Sequence, residues 1–299
     1  MFARAGLRKE HLIFPVFVSD RQSDIGSMPG ISIMPLAKIA DHIQSIANAG
    51  ISSVIVFGIP KTRNNNGSHA ADRNGIVQQA VRAIKSGFGK SMNVTTDVCI
   101  CQYNLSGHCG IIHGGKVDND ATLKMLADIA KSHAEAGVDV VAPSSMMDGQ
   151  VHAIKYALGG FATKILSYSA KHASSLYTPF RSAAFAKARL QIDKSTYQVS
   201  YANKRQAMME IETDINEGAD MVMIKPALAY LDLVRMAKDR FNFPIAVQNV
   251  SGEYAMIKAA AMQGLIDEEE WKACCIASIR RAGADRIISY FSLDVAKYL

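Results

Sequence analysis

Long hydrophobic runs are missing from this sequence. Of its 299 residues 49% are hydrophobic, yet no window approaches the roughly 18 consecutive apolar residues that a membrane-spanning helix needs. The first residues, MFARAGLRKEHLIFPVFVSD, contain no small-residue cleavage site after an apolar core, so they are not typical of a signal peptide. We therefore expect no membrane partner and a cytoplasmic location.

Cysteine and excess charge are also scarce. Five cysteines are too few for a disulfide scaffold, and the balance of 20% charged to 49% hydrophobic residues excludes a disordered or collagen-like chain. The net charge is only +6, and the basic residues are scattered along the chain rather than gathered in a stripe. We expect no nucleic-acid partner.

Short apolar runs are present, and they recur along the whole chain. Most are continuous in valine, isoleucine, leucine and methionine without polar alternation, which is typical of strands buried on both faces of a parallel sheet. The predicted strands are His11–Val18, Ser52–Gly58, Asn93–Ile100, Val138–Ser144, Lys164–Ser169, Met221–Lys225, Pro244–Val250 and Arg286–Phe291.

Segments with helical periodicity separate these runs. Two of them, Pro35–Ala49 and Thr122–Ala136, each end at a glycine, the residue that most easily adopts a left-handed helix stop. The other predicted helices are Val151–Leu158, Asn203–Glu217, Leu228–Arg240, Tyr254–Gln263 and Glu268–Arg281. This alternation predicts an α/β fold, a closed (β/α)8 TIM barrel, as a single domain over 1–299. The alternative, a doubly wound open sheet, lacks its G-x-G-x-x-G after every strand.

The third predicted strand leads into a cysteine motif. Cys99 and Cys101 are two residues apart, so in an extended segment both thiolates face the same side, and the following loop can return Cys109 to them. Three thiolates leave a tetrahedral zinc with one open position, as in catalytic sites. The alternative is three buried thiols that behave as small hydrophobes. His108 is either a fourth ligand or a nearby hydrogen-bond partner.

Two lysines, Lys171 and Lys225, stand where the fifth and sixth strands reach the barrel mouth. Desolvation lowers the pKa of an ammonium group, and a second positive charge nearby lowers it further. A neutral amine can attack a ketone and form a Schiff base, that is, an imine. The alternative is that each lysine is a solvated residue at a strand end.

Polar side chains at the other strand ends and loops suit an anionic ligand. Ser251 follows the seventh strand, Tyr290 lies near the end of the eighth, and Arg181 and Gln198 lie on a long connection after the fifth. Long connections above a barrel mouth are usually functional. Together the residues predict a zinc-assisted, lysine-dependent carbonyl enzyme that acts on a small anionic substrate.

Four segments carry a resemblance to a known family: TDVCICQYNLSGHCG, ILSYSAKHASSLYTPFR, ADMVMIKPALAYLD and VSGEYAMIKAAA. They look like 5-aminolevulinate dehydratase (porphobilinogen synthase), in the branch that binds zinc through a cysteine triad. The match runs in order from HLIFPVFV to ISYF, and so covers nearly the whole chain. The resemblance implies a (β/α)8 barrel of tetrapyrrole (haem) biosynthesis. It also implies a hydro-lyase that condenses two 5-aminolevulinate molecules to porphobilinogen with loss of two waters.

The resemblance also implies residue roles. Lys225 matches the lysine that forms the Schiff base with the P-site substrate, and Lys171 matches the second active-site lysine, which holds the A-site substrate. Asp97 matches an aspartate that orients an ammonium group or moves a proton. The remaining matches are the zinc ligands Cys99, Cys101 and Cys109, the P-site carboxylate binders Ser251 and Tyr290, the A-site carboxylate binders Arg181 and Gln198, and Glu210 as a ligand of an allosteric magnesium ion. Lys194 takes the position of a further A-site carboxylate binder.

The sequence departs from the family pattern at four positions. Ser145 stands in place of an acid, Gln150 and Lys194 each in place of an arginine, and Gln248 in place of a tyrosine. A lysine neutralises a carboxylate, but it cannot form the two parallel hydrogen bonds that the planar guanidinium group of an arginine forms. Arg189 is a candidate for that contact. These departures keep two alternatives open. One is a lysine-dependent, aldolase-like enzyme for another keto acid, and the other is a weakly active relative that binds zinc or a ligand.

The segment ahead of the first strand, 1–10, is shorter than the arm that wraps a neighbouring subunit in the family. We therefore expect a homo-oligomer, as a dimer or a hexamer rather than an octamer that depends on the arm. Glu210 has an alternative interpretation as an exposed helix carboxylate.

Overall fold

The structure, a computed structural model, describes residues 5–184 and 193–299. At its centre eight parallel strands close into a barrel, because each strand pairs with the next and the last pairs with the first. The strands are β1 (Leu12–Ser19), β2 (Ser53–Gly58), β3 (Asn93–Val98), β4 (Val140–Pro143), β5 (Lys164–Lys171), β6 (Met221–Lys225), β7 (Ile245–Asn249) and β8 (Arg286–Ser289). The predicted TIM barrel is confirmed.

The strands are buried on both faces, as their composition predicts. In β2, Val54, Ile55 and Val56 have no exposed surface, although neighbours along a strand point in opposite directions. One face fills the barrel interior and the other packs against the surrounding helices. Burial on both sides explains why polar alternation is missing from these segments.

The helices follow the strands around the barrel. They are α1 (Ile39–Asn48), α2 (Ile76–Phe88), α3 (Asn119–Glu135), α4 (Gln150–Ala157), α5 (Thr178–Ala184), α6 (Lys204–Asn216), α7 (Leu231–Phe241), α8 (Ser251–Met262), α9 (Glu268–Ala282) and α10 (Ser292–Ala296). None of the helices within the described ranges is long and apolar enough to cross a bilayer.

The predicted helices are present, with shifted ends in some cases. Gly50 and Gly137 follow α1 and α3 with φ of 84° and 94°, the left-handed geometry expected after a helix. α8 begins at Ser251, three residues before the predicted start, and the segment ahead of α7 is a short 3-10 turn. The helices α2, α5 and α10 were not predicted, although the buried positions of α2 do recur at helical spacing.

An extra residue interrupts the pairing of β5 with β6. Val222 lies beside Ser167, and Lys225 lies beside Lys171, so three steps on β6 match four steps on β5. Such a bulge changes the face on which the following side chains point. As a result the side chains of Tyr168 and Lys171 lie on the same side of β5, with 5.8 Å between Nζ of Lys171 and the centre of the Tyr168 ring.

Buried Glu253 connects the carboxyl ends of β6 and β7. Its carboxylate accepts hydrogen bonds from the backbone N–H groups of Val250 at 2.6 Å, Leu228 at 2.6 Å and Ala227 at 3.1 Å. Burial raises the pKa of this carboxyl group, while the same hydrogen bonds oppose the increase. The carboxylate therefore fixes the loop that follows β6.

We expect Glu253→Gln to lower the free energy of unfolding by about 1–3 kcal/mol, because the amide turns a donor toward backbone groups that can only donate. Chemical denaturation checks this, with the exposed Glu270→Gln as the matched control. Equal stability of the two variants would contradict a role for these hydrogen bonds.

Candidate active site

A cavity opens at the carboxyl ends of the barrel strands, where the fold predicts a site. Many of the predicted site residues line it together, although they are far apart in the sequence. The lining residues are Phe57, Asp97, Cys101, Gln102, Ser144, Lys171, Tyr177, Phe180, Arg181, Lys194, Gln198, Lys225, Gln248, Val250, Ser251 and Tyr290.

The two lysines lie side by side in this cavity. Lys171 and Lys225 are direct Cα partners at the ends of β5 and β6, and both are buried, with 7% and 8% of their surface exposed. Burial, followed by the positive charge of Lys171, lowers the pKa of Lys225 from 10.5 to about 7. A substantial fraction of Lys225 therefore carries a free amine near neutral pH.

Aromatic rings surround the amine of Lys225. Its Nζ lies 4.5 Å from the ring centre of Tyr168 and 5.2 Å from that of Tyr177. The Tyr177 hydroxyl donates to the carbonyl oxygen of His172 at 2.8 Å, which fixes the ring in place. These rings exclude water from the amine, and this is the physical origin of the desolvation.

Polar partners hold Lys171 and Asp97 in the same cavity. The Nζ of Lys171 donates to the carbonyl oxygen of Ser144, just after β4, at 2.5 Å. The Asp97 carboxylate, on β3, accepts from Nε2 of Gln102 at 3.1 Å. Burial raises the pKa of Asp97, and the positive charge of Lys171 opposes this without cancelling it. A carboxyl group with a raised pKa is suited to hold and move a proton.

The three predicted cysteines meet in one buried cluster beside this cavity. The sulfur atoms of Cys99, Cys101 and Cys109 all lie within 4.8 Å of one another, and those of Cys99 and Cys101 are 3.2 Å apart. Asn104 folds the loop back, because its side chain donates to the carbonyl oxygen of His108 at 2.8 Å and accepts from the N–H of Gly107 at 2.6 Å. The loop thereby returns Cys109 to the other two thiols.

The three thiols of this cluster differ in their pKa values. Hydrogen bonds from Cys101 and Cys99 hold the pKa of Cys109 well below its usual range, while burial raises that of Cys99 to about 11. The Nζ of Lys194 donates to Sγ of Cys109 at 3.2 Å. A compact set of buried, soft sulfur donors fits a thiophilic ion such as zinc and makes this a candidate metal centre.

His108 lies outside the cysteine cluster. Its Nδ1 is 3.2 Å from the hydroxyl oxygen of Tyr197, and that same oxygen accepts a hydrogen bond from the N–H of Cys109 at 3.2 Å. Of the two interpretations of His108, the nearby hydrogen-bond partner agrees with this geometry. Cys275 is buried in α9, and Cys274 beside it is exposed.

The predicted carboxylate binders lie around the mouth of the cavity. The guanidinium of Arg181, on α5, lies 5.6 Å from the centre of the Tyr177 ring. Gln198 is buried, and its Oε1 has no hydrogen-bond partner among residues 5–184 and 193–299. An acceptor buried without a partner is costly, which is consistent with a donor on a ligand.

Ser251 and Tyr290 also line the cavity, and both are buried. The Ser251 hydroxyl accepts from the N–H of Phe180 at 3.1 Å and donates to the carbonyl oxygen of Leu176 at 3.2 Å. The Tyr290 ring stacks on that of Phe17, with 6.1 Å between ring centres. Ser251 therefore also connects α8 to the segment that carries Arg181.

The four departures from the family pattern fall in different places. Gln248 lines the cavity and accepts a hydrogen bond from Lys225, and Lys194 lines it while bound to Cys109. Gln150 starts α4 and accepts from a backbone N–H at 3.4 Å. Ser145 is fully buried, and its hydroxyl has no partner within the described part of the chain. Neither Ser145 nor Gln150 lines the cavity.

Glu210 lies in a separate groove. Asp148, Asp193 and Gln206 also line that groove, and burial, followed by the charge of Asp148, raises the pKa of Glu210. In the described residues the cysteine triad is the only group of three or more candidate ligands close enough to hold one ion. A magnesium role for Glu210 stays a prediction. Arg189 and residues 1–4 of the arm lie outside the described residues.

Sequence reasoning missed several residues that line the cavity. Phe57, Tyr177 and Phe180 form apolar walls, and Ser144 and Gln102 hold Lys171 and Asp97. The aromatic residues look like ordinary core residues in the sequence, so periodicity alone carries no separate signal for them.

Comparison with known proteins gives consistent matches over the whole chain. A family model, delta-aminolevulinic acid dehydratase, matches residues 1–298. The chain is 47% identical to the delta-aminolevulinic acid dehydratase of Archaeoglobus fulgidus, over 100% of this chain and 94% of that protein. It is 44% identical to the protein of the same name from Staphylococcus epidermidis, over 98% and 92%.

Solved structures agree with the sequence matches. A delta-aminolevulinic acid dehydratase (porphobilinogen synthase) from Toxoplasma gondii, in complex with the reaction product porphobilinogen, superposes with a TM-score of 0.95 at 37% identity, over 98% of this chain and 86% of that one. A dihydropteroate synthase from Xanthomonas albilineans reaches a TM-score of 0.52 at 8% identity, over 98% and 91%, and is similar in fold alone.

Proposed function

We propose that this chain, which belongs to the delta-aminolevulinic acid dehydratase (5-aminolevulinate dehydratase) family, condenses two molecules of 5-aminolevulinate to porphobilinogen with loss of two waters. The observation that carries the proposal is the pair of buried lysines, side by side in one cavity with three thiols next to it. The family match and the likeness to a structure that holds porphobilinogen support the same reaction.

Lys225 has the properties of the amine that forms the first imine. Its pKa of about 7 leaves a neutral amine at working pH, and such an amine adds to the ketone carbon of 5-aminolevulinate. The carbonyl oxygen leaves as water, and the substrate carbon becomes more electrophilic.

Lys171 and Asp97 complete the acid–base apparatus. Lys171 is close enough to hold the second substrate and to form an imine of its own, which acidifies the carbon that must become the nucleophile. Asp97 is under the influence of both lysines, and its raised pKa suits a group that orients the substrate ammonium or transfers a proton.

Cys99, Cys101 and Cys109 are the residues that would hold a zinc ion. Three buried thiols within 4.8 Å of one another fit the soft donor set that zinc prefers. Bound there, zinc supplies Lewis-acid polarisation of substrate oxygen or nitrogen atoms at the edge of the cavity.

The substrate carboxylates have two sets of partners. Ser251 and Tyr290 line the cavity, and we assign them to the P-site carboxylate. Arg181, Gln198 and Lys194 line the same cavity and suit the A-site carboxylate. For Lys194 this role requires the ammonium group to leave the thiol of Cys109 or to serve both groups.

Neither alternative function gains support from the comparisons. An aldolase-like enzyme gives no reason for three thiols beside the lysines, and a pure binding protein does not need a costly desolvated amine. We further propose that the chain is a single domain over 1–299 and forms a cytoplasmic homo-oligomer. We also propose that Glu210 binds magnesium.

The test is porphobilinogen formation from 5-aminolevulinate, with zinc supplied under reducing conditions. Because Lys225 must be neutral to attack, we expect the rate to rise with pH through about 7 and then to level off. The coloured adduct of porphobilinogen with an acidic aldehyde reagent measures the product. No product from folded, zinc-loaded protein would refute the proposal.

A further inference from the structure

Gln248 lies beside Lys225 because of the strand register. Val247 on β7 pairs with Ile224 on β6, so the residues that follow, Gln248 and Lys225, come side by side at the carboxyl ends of the two strands. Gln248 is 3% exposed, and its side chain lines the cavity. Both side chains thus project into the cavity from neighbouring, hydrogen-bonded strands.

A direct hydrogen bond joins the two side chains. The Nζ of Lys225 donates to Oε1 of Gln248 at 2.9 Å. An ammonium group can only donate, so it is the amide oxygen, not the amide nitrogen, that must face it. The nearby rings of Tyr168 and Tyr177 attract a cation, but they present faces rather than a directional acceptor.

We propose that Gln248 is a positioning residue for imine formation at Lys225, an inference that rests on the proposed function. In the free amine one N–H is directed to Oε1 of Gln248, which leaves the lone pair and the other N–H toward the cavity. The lone pair forms the C–N bond as the carbonyl C–O bonds break, and the ketone oxygen leaves as water after it takes one proton from the other N–H of the amine and one from the solvent. The protonated imine keeps one N–H, and that N–H donates to the same oxygen.

The hydrogen bond to Gln248 matters because imine formation places a positive charge on the nitrogen of Lys225. A protonated imine is a buried cation next to Lys171, so an acceptor that is already oriented stabilises it without reorganisation. Hydrogen bonds to charged groups are also stronger than those between neutral groups. Gln248 stands where the resemblance predicts a tyrosine, so in this chain the acceptor is an amide oxygen.

The test uses two variants of similar shape in the full-length, zinc-loaded protein. Gln248→Met keeps the volume but removes the acceptor, and Gln248→Glu keeps the acceptor and adds a negative charge. The probe is 4-oxopentanoate, a keto acid without an amino group, trapped on the protein by borohydride. Peptide mass spectrometry measures the rate of labelling at Lys225 as a function of pH.

We expect labelling of the unmodified protein at Lys225 to rise through about pH 7. Gln248→Met should be labelled about tenfold more slowly at every pH on the plateau, which corresponds to one hydrogen bond. Gln248→Glu should shift the midpoint to higher pH by about one unit, because a carboxylate stabilises the ammonium form. The other groups that influence this amine are unchanged in both variants: Lys171, Asp97, Cys101, Cys109, Tyr168 and Tyr177.

Two results would overturn the inference while leaving the proposed function intact. They are a labelling rate in Gln248→Met equal to that of the unmodified protein, and an unmoved midpoint in Gln248→Glu. If Gln248→Met does not fold, as judged by circular dichroism, the midpoint in Gln248→Glu decides. Absence of label at Lys225 in the unmodified protein would instead refute the imine itself, and with it both proposals.

Discussion

Replacing Lys225 with methionine will abolish porphobilinogen formation and, at the same time, stabilise the folded protein. Activity disappears because methionine has no amine to add to the ketone, and a covalent step cannot be replaced by binding alone. We expect the rate to fall by at least about a thousandfold, and borohydride trapping at this position to cease. The colorimetric assay and peptide mass spectrometry measure these two effects.

The stabilisation follows from the lowered pKa of Lys225. Its pKa falls from 10.5 in the unfolded chain to about 7 in the fold, so the unfolded state binds more protons between these values. The cost to stability is complete below pH 7, declines as pH rises, and vanishes above about 10.5. At about 1.4 kcal/mol for each tenfold change in proton affinity, the full cost is at most about 5 kcal/mol.

Denaturation of Lys225→Met at pH 6.5 and at pH 10 tests this sign, with exposed Lys90→Met as the matched control. The gain in stability should be several kcal/mol at the lower pH and smaller at the higher one. An unchanged stability at both values would show that water reaches the amine. Turnover at the normal rate would remove Lys225 from the mechanism.

Removal of metal from the cysteine cluster should have the second largest effect. Chelation under reducing conditions is expected to abolish turnover, and added zinc should restore it, because Cys99, Cys101 and Cys109 together form the donor set. Alanine at any one of these positions leaves two thiols, so zinc content should fall along with activity by at least about a hundredfold.

Cys275→Ala is the matched control for these variants. It removes another buried thiol, which lies in α9 away from the cluster, and it should keep both zinc and activity. Full activity after verified removal of the metal would exclude a metal role in the reaction. Loss of zinc from Cys275→Ala as well would point to general instability instead.

The sequence was sufficient to predict the barrel and the positions of the two lysines and the cysteine triad at its mouth. Continuous apolar runs reveal strands that are buried on both faces, and a lysine at the end of such a run must lie at the mouth of the barrel. These features depend on local pattern, so they are readable without knowledge of long-range contacts. The predicted meeting of the Cys99 and Cys101 thiols is present, but for a different reason: β3 ends at Val98, and Cys101 lies in the turn that follows rather than in an extended segment.

Contacts that depend on the register of strand pairing could not be predicted from the sequence. The contact of Gln248 with Lys225 requires the pairing of β7 with β6, and that of Lys194 with Cys109 joins residues 85 apart in the chain. The inward position of Tyr168 depends on an extra residue in β5. No periodicity encodes such details, because several registers bury the same apolar surface. The helix α2, in contrast, was readable from its spacing and was overlooked.

The extra residue in β5 makes the length of this strand as important as its chemistry. Side chains alternate along a strand, and Ser167, on the outer face, donates to the carboxylate of Asp214 on α6 at 2.7 Å. Deletion of one residue between Tyr168 and Lys171 would turn one of these two side chains outward, toward α6. A substitution at Ser169 leaves the count intact. The pairing of Lys171 with Lys225 is therefore more vulnerable to insertions and deletions than to point changes in this segment. Natural or engineered variation in β5 should conserve its residue number before its residue types.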